Sequence, residues 1–468
     1  MTLLRSFNLP RDQNRIVALP PNSKNKNRIT VLLGINGTQK STILRGLLDD
    51  ALTSSIGSRN SKTISVNAVW SDAPPSRVIA VSSVPNDRFP SKQRFGPVGL
   101  RTRYDVPEYE YIGPRTARNI VSRHQSAEVL FASILANPNI SNKTLKFLAK
   151  LSEKTHIPLR FNAFLRRRAF SSGSSGADIS PLEYLQKLLD DPRTSNRISK
   201  YGREEIEEAL SNSFILRAME GMNRTIPKML SKPNRENPHV FVDLVNGLDT
   251  SLGIDPKIIR FALNVGYVSL SQLQFDPLHT DYKQATIDSF SAGQWGLFSS
   301  LTTLALTASD RTLILVDEPE SALHPAWQRE YLHELVQALS EHQNCHVVLA
   351  THSPLIVSSL MTGEADLVGL RLRNEGLIDC EMIDIPMGWQ ANDVLEDIFG
   401  LESTRSTTVV EDIENALSLI AAGVSGNKSQ IITLAKRLTP LLKTFPEEDF
   451  ARQVINSIIK ISGISGVI

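Results

Sequence analysis

The chain is poor in the residues that staple small secreted domains or build metal centres. Its 468 residues hold two cysteines, Cys345 and Cys380, far apart and without CxxC spacing. That excludes a disulfide framework or a cysteine-built metal site and fits a reducing cytosol. No apolar run approaches the ~20 residues needed to span a bilayer, and the opening MTLLRSFNLPRDQN lacks the apolar core of a signal peptide. A cytoplasmic chain with no membrane contact of its own is expected. Neither sign of charge dominates, with 51 Lys and Arg against 49 Asp and Glu and a formal net charge of +2, so any nucleic-acid surface has to be local. Internal repeats and long heptad arrays are missing too, which leaves no extended coiled-coil arm. What remains, 41% hydrophobic and 21% charged residues, suits an ordinary globular protein. Its length implies two or more lobes, because one core rarely grows beyond about 250–300 residues.

The most informative stretch runs from Leu313 to His352. An apolar run, Leu313 to Val316, ends in Asp317 and Glu318. An amphipathic helix follows, and a second apolar run, Val347 to Ala350, ends in Thr351 and His352. Runs of this length bounded by polar residues suit buried parallel strands. Ligands of open parallel sheets sit beyond the carboxyl ends of strands, so Asp317, Glu318 and His352 should converge on one site.

A second strand, loop and helix pattern lies near the N-terminus. Arg28 to Leu33 is β-branched and apolar, GINGTQKST occupies Gly34 to Thr42, and Ile43 to Leu52 has helical spacing. This is the setting of a phosphate-binding loop, in which backbone N–H groups and a helix N-terminus face phosphate oxygens. Lys40 would reach the β and γ phosphates, and the Ser41 hydroxyl would meet Mg²⁺. Gln39 stands where the pattern calls for glycine, so binding with slow turnover is expected.

Elsewhere, Val78 to Ser82 reads as a buried strand, and residues from Lys92 to Arg115 as turns and short edge strands. From Thr116 to Ser231 the pattern is helical, a compact insertion. Inside it, the basic and aromatic segment from Arg160 reads as a solvated helix end leading into a mobile Ser/Gly-rich loop. Its functional reading is a nucleic-acid contact through Arg166, Arg167 and Arg168. Strands are expected again from His239, over Asp366 to Leu372 and over Asp379 to Ile385, with a helical stretch at Pro256 to Val265. Phe290 to Gln294 reads FSAGQ and opens a helix, a second anion-binding element through Ser291 and the Gly293 backbone. Cys345, Trp295 and Trp327 read as packing residues. The apolar end of the helical tail should dock on its own domain.

Four motifs therefore follow in a fixed order: GINGTQKST, FSAGQ, LILVDEPESALHP and THS. In this order they resemble the ABC-type P-loop ATPases, in the branch with structural-maintenance and double-strand-break-repair ATPases. Within that branch SVPNDRF, YEYIGPR, VDEPESALHP, ATHSPLI and NDVLEDIFG are similar to the Septu and retron-associated PtuA-type ATPases of bacterial anti-phage defence. The resemblance implies an α/β P-loop head with a mixed or parallel sheet, a helical insertion and a helical tail. The parts are residues 1–115 and 236–402 for the head, 116–235 for the insertion and 403–468 for the tail. It implies ATP and Mg²⁺ as ligands. Asn36, Gly37, Thr38, Gln39, Lys40, Ser41, Thr42, Ser291, Gly293 and Gln294 would hold nucleotide, Ser41 and Asp317 the metal, and Glu318 and His352 would act in catalysis. Ser321 to His324 match the D-loop. No glutamine stands clearly at the Q-loop position; Gln93 is a poor match, and Asp87 is the other residue expected to line the site. Implied partners are a second copy in a head-to-head dimer and an HNH endonuclease of the PtuB type. A retron's reverse transcriptase with its msDNA or ncRNA extends that set. The rivals are a stand-alone DNA-repair ATPase that clamps DNA itself and a transporter ATPase subunit, against which the large insertion and the ESALHP wording count.

Overall fold

The computed structural model describes residues 4–10, 12–20, 26–56, 66–91, 104–115, 122–167, 179–195, 198–228, 237–250, 252–276, 285–361, 363–373, 377–384, 388–401, 403, 405–446 and 449–463. Gln93, Arg168, the Ser/Gly-rich loop after it and the last residues of the tail lie outside them. Two compact units divide the chain, Met1–Gly388 and Trp389–Ile468, so the second begins before the boundary at 403 expected from sequence.

The first unit is built on a seven-stranded sheet. Its strands are β3 (Arg28–Gly34), β5 (Arg77–Ser82), β6 (Tyr109–Ile112), β12 (Thr312–Asp317), β13 (His346–Thr351), β14 (Asp366–Leu372) and β15 (Ile378–Ile383), in the spatial order β15-β14-β3-β13-β12-β5-β6. All neighbours are parallel except β14 and β15. β3, β12 and β13 are buried along their whole length. That is why their sequences are unbroken apolar runs: a parallel sheet covered on both faces has no side for water. Helix α1 (Lys40–Ile56) presents Ile43, Leu44, Leu47 and Leu48 to the core shared with Leu32, Ala80, Leu315 and Ala350. A small antiparallel sheet, β2 (Asp12–Ala18), β1 (Leu4–Leu9) and β4 (Ala68–Trp70), joins the same core through Leu4, Phe7 and Leu9.

The insertion differs from its sequence reading. It carries helices α2 (Arg123–Ala136), α3 (Asn142–Thr155), α4 (Pro181–Asp190), α5 (Pro192–Ser195), α6 (Lys200–Ser211) and α7 (Ser213–Thr225), but Arg160–Arg167 is a strand, β7, not a helix end. β7 lies at the middle of a second, antiparallel sheet, order β11-β10-β7-β8-β9, with β8 (His239–Asp243), β9 (Gly247–Thr250), β10 (Val268–Phe275) and β11 (Ala285–Thr286). Its partners lie beyond residue 235, so the insertion is not self-contained. Phe161 to Leu165 are all buried, so β7 is covered on both faces and shows no period-two alternation; its short buried run is masked in sequence by the arginines that follow. Arg166 is exposed, whereas Arg167 donates to the Ile226 carbonyl at 2.7 Å and to Asn223 at 3.2 Å. Helix α8 (Pro256–Asn264) completes this lobe, and α9 (Ala292–Thr307), α10 (Pro325–Ala338) and α11 (Pro354–Ser358) follow the signature and the two central strands.

The second unit contains α12 (Ala391–Asp397), α13 (Thr407–Ala421), α14 (Val424–Leu438) and α15 (Phe450–Ser462) around Ala416, Ala435, Leu438, Ile455 and Ile458. Arg405 grips Asp449, the N-cap of α15, through two hydrogen bonds of 2.7 and 2.8 Å. Among the described residues no helix is long and apolar enough to cross a membrane.

Candidate nucleotide site

The parallel register brings the carboxyl ends of β3, β13 and β12 side by side, with Leu33 opposite Thr351 and Asp317 opposite Ala350. From β3 the chain enters the glycine loop, which reverses through two left-handed residues, Gly37 (φ 89°) and Gln39 (φ 59°). Gln39 thus holds, at a cost, the conformation that glycine adopts freely. Asn36 and Gly37 form an exposed lip, Thr38 is buried, and Ser41 and Thr42 are half-buried at the start of α1. A side chain at Gly34 would meet the Leu370 carbonyl at 2.5 Å, so β14 sets how tightly the loop is packed.

Lys40 is buried under this loop. Its Nζ donates to the carbonyls of Gly34 (2.8 Å) and Ile35 (3.2 Å) and lies 3.3 Å from His352 Nδ1. On the other side of the imidazole, Nε2 is 3.3 Å from Glu318 Oε1. An ammonium donating to Nδ1 leaves the ring proton on Nε2, where it faces the carboxylate. Burial, with Lys40 next, lowers the pKa of His352, against the pull of Glu318, and so favours the neutral ring. Beside this row Ser41 Oγ donates to Asp317 Oδ1 at 3.0 Å. Burial pushes Asp317 up to about 7 and pulls Lys40 down to about 8, the latter opposed by Glu318, Glu320 and Asp317 in that order.

Glu318 is itself left-handed, with φ 46°, and its N–H bonds to the Ala350 carbonyl at 3.0 Å. Strain of this kind at a non-glycine residue persists only where the surroundings dictate it. Two residues on, Glu320 accepts from the His352 N–H (2.6 Å) and from Thr351 Oγ1 (2.9 Å). The sequence reading passed over Glu320, because a second acid after the strand carries no spacing signal of its own.

Asp87 is placed differently from its reading as a residue lining the site. Its carboxylate is fully buried and already accepts from the Phe89 N–H (2.9 Å), the Tyr111 hydroxyl (2.7 Å) and Arg115 Nε (3.3 Å). It acts on the site only through charge, as one cause of the raised Asp317.

Among the described residues no hydrogen bond or ion pair joins the signature residues to this cluster. Ser291 is the exposed N-cap of α9, accepting from the Gln294 N–H while Gln294 Oε1 accepts from the Ser291 N–H. Gln294 Nε2 donates to the Thr155 carbonyl at 3.0 Å, so its amide ties the signature to the end of α3. Gly293 is buried where a Cβ would meet the Ala322 carbonyl at 2.5 Å, which presses α9 against the 3-10 turn Pro319–Ala322.

A hydroxyl and a carboxylate are hard oxygen donors, and Mg²⁺ takes few protein ligands while keeping several waters. Ser41 and Asp317 fit that ion, because a cation offsets the penalty of a buried carboxylate. Among the described residues no cluster of three or more His, Cys, Asp or Glu side chains could hold a metal unaided.

Residues 29–358 match the family described as "AAA domain, putative AbiEii toxin, Type IV TA system". A stretch of 107 residues is 32% identical to the Septu protein PtuA of Bacillus thuringiensis; it covers 22% of this chain and 25% of that protein, so the match spans a quarter of the relative's length. Solved structures with a similar arrangement include the Smc head domain with an extended coiled coil bound to the C-terminal domain of ScpA from Pyrococcus furiosus, at 13% identity, 82% of this chain, 97% of that chain and a TM-score of 0.33. UvrA2 from Deinococcus radiodurans is another, at 14% identity, 79% and 36% coverage and a TM-score of 0.27. The family match takes in both β3 with its glycine loop and the two central strands that end in Asp317 and Thr351, and on that ground the chain belongs to this AAA-domain ATPase family.

Proposed function

We propose that the chain hydrolyses ATP slowly at this site and uses the nucleotide state to control a partner. The observation that carries the reading is the row Lys40, His352, Glu318 beside the pair Ser41 and Asp317, all at the ends of three adjacent strands. Lys40 now bonds neutral carbonyls, and a phosphate oxygen offers it a charge-assisted bond about twice as strong. Glu318, whose Oε1 faces His352 Nε2, orients and deprotonates the attacking water. His352 lies between the cation and that carboxylate, so it registers whether the terminal phosphate is there. Mg²⁺, when bound, neutralises phosphate charge, and Ser41 and Asp317 are the residues that would hold it.

In this reading Ser291 and the α9 N-terminus serve a second copy. The capping box leaves the first N–H groups of the helix for an anion, and among the described residues no hydrogen bond or ion pair joins the signature to its own phosphate loop, so the nucleotide would lie between two heads. The kinship of a quarter-length segment with the Septu protein PtuA supports a role in anti-phage defence, with an HNH endonuclease as the effector under nucleotide control. A retron's reverse transcriptase with its msDNA or ncRNA is the further partner set of that reading. A nucleic-acid contact would draw on the exposed Arg166 of β7, whose Nε also donates to Ser269 Oγ at 3.2 Å; Arg167 is engaged inside its own lobe, and Arg168 lies outside the described residues.

ATP turnover by the purified chain beside Lys40→Ala and Glu318→Gln tests the reading. Loss of the base should lower turnover by roughly a hundredfold or more, and Glu318→Gln should accumulate a two-chain species with ATP by light scattering. Equal turnover in all three chains would end the ATPase reading; monomers under every nucleotide condition would end the two-head arrangement.

A further inference from the structure

Glu320, in the turn after β12, has its carboxylate only half satisfied. Oε1 accepts two hydrogen bonds, from the His352 N–H and the Thr351 hydroxyl, while Oε2 is buried without a hydrogen-bond partner. An unsatisfied buried oxygen costs about 1–3 kcal/mol, and more for a charged group. An apolar side chain at this position would avoid that cost, so local stability does not account for a glutamate here.

The bonds around it form a closed latch. Thr351 Oγ1, besides donating to Glu320, accepts from the Ser353 N–H at 2.9 Å. Ser353 Oγ donates to Gln328 Oε1 at 2.7 Å, and Gln328 Nε2 returns to the Leu323 carbonyl at 3.0 Å, one residue past the turn that carries Glu320. The latch therefore fastens the end of β13 to the turn after β12. Its bond to His352 is to the main chain, which leaves the ring to reach Lys40 on one side and Glu318 on the other. Glu320 is also the second strongest of the three carboxylates that favour the charged form of Lys40.

Resting on the ATPase reading of this site, we propose that Glu320 is a positioning residue: it holds the His352 main chain so that the imidazole spans Lys40 and Glu318, and its unshared oxygen adds negative charge to the field around Lys40. Glu320 touches no reacting atom. Its effect on turnover passes through the placement of His352.

The test uses the full chain with Glu320→Ala, Glu320→Gln and Thr351→Val, and reads kcat, KM for ATP, melting temperature and hydrogen exchange of the His352 amide. Glutamine keeps an oxygen for both donors, and alanine keeps neither. Losing a hydrogen bond to a charged group corresponds to roughly a tenfold to hundredfold effect. Glu320→Ala should therefore lose about tenfold or more in kcat with KM nearly unchanged, and its His352 amide should exchange faster by a similar factor. Glu320→Gln should restore amide protection and bring kcat back to within a few fold of the parent. Wild-type kcat and protection in Glu320→Ala would overturn the proposal, and so would an equal kcat loss in the Gln and Ala variants, which would assign the effect to charge alone. Should Glu320→Ala fail to fold, Thr351→Val decides: reduced kcat at unchanged KM supports the latch, and parental behaviour overturns it. If the parent turns over no faster than Lys40→Ala, the ATPase reading fails by itself, while the exchange of the His352 amide still decides whether Glu320 holds that segment.

Discussion

Gln39, in the glycine loop, and Glu318, after β12, both occupy the left-handed region. For an L-residue this costs roughly 1–2 kcal/mol, partly offset where glycine would lose more entropy on folding. Gln39→Gly should accordingly leave stability unchanged or raise it by up to about 1 kcal/mol in urea titration; a clear loss would mean that the glutamine side chain supports the loop. The charges here also set a pH dependence. Asp317 is raised from 3.8 to about 7, so between those values the folded chain holds a proton that the unfolded chain has released. Its contribution to stability is full below pH 3.8 and is lost as pH rises through 7. Lys40 is lowered from 10.5 to about 8, so between pH 8 and 10.5 the unfolded chain binds more proton and stability climbs with pH. For the chain without nucleotide the two together give a minimum between pH 7 and 8. Asp317→Asn should remove the falling limb and Lys40→Met the rising one, as read from urea midpoints across the pH range.

Among elements, the contact between α9 and the turn Pro319–Ala322 matters most, because it joins the signature to the strand end that carries Glu318. Gly293 is what allows it. Gly293→Ala places a methyl 2.5 Å from the Ala322 carbonyl, a backbone atom that cannot rotate away. The expected cost is about 1–3 kcal/mol, visible as a lower melting temperature, and a neutral result would show that the turn yields freely. The apolar runs of β3, β5, β12, β13 and β14 were plain in sequence, since a sheet buried on both faces leaves unbroken hydrophobic stretches. β14 begins and ends where its sequence pattern does, at Asp366 and Leu372. β7 was hidden because its short buried run goes straight into arginines, and its partners begin only at His239 and Val268, where local pattern has no reach. The residues that the structure brings together, Lys40, Ser41, Asp317, Glu318 and His352, were legible through motif wording. Bonds between loops were not: Gln294 to the Thr155 carbonyl and Glu320 to the His352 N–H depend on which loops meet in space.

At the scale of the whole molecule, two units carry two separate cores. Ile455→Ala empties part of the small core around Ala416, Ala435 and Leu438 and should cost that unit about 2–5 kcal/mol. It should split thermal unfolding into an early helical step and a later one at the parent temperature; a single shifted transition would mean that the units unfold as one. The main sheet has a further consequence, for biosynthesis. β3, made within the first 34 residues, pairs only with β13 and β14, which begin at residues 346 and 366. At about 5–20 residues per second, a ribosome delivers those neighbours tens of seconds later. Through that interval the glycine loop has no sheet to stand on, so a message cut short before β13 yields a chain with Lys40 but no site, and the cell obtains a working nucleotide pocket only from a transcript read past the last of its motifs.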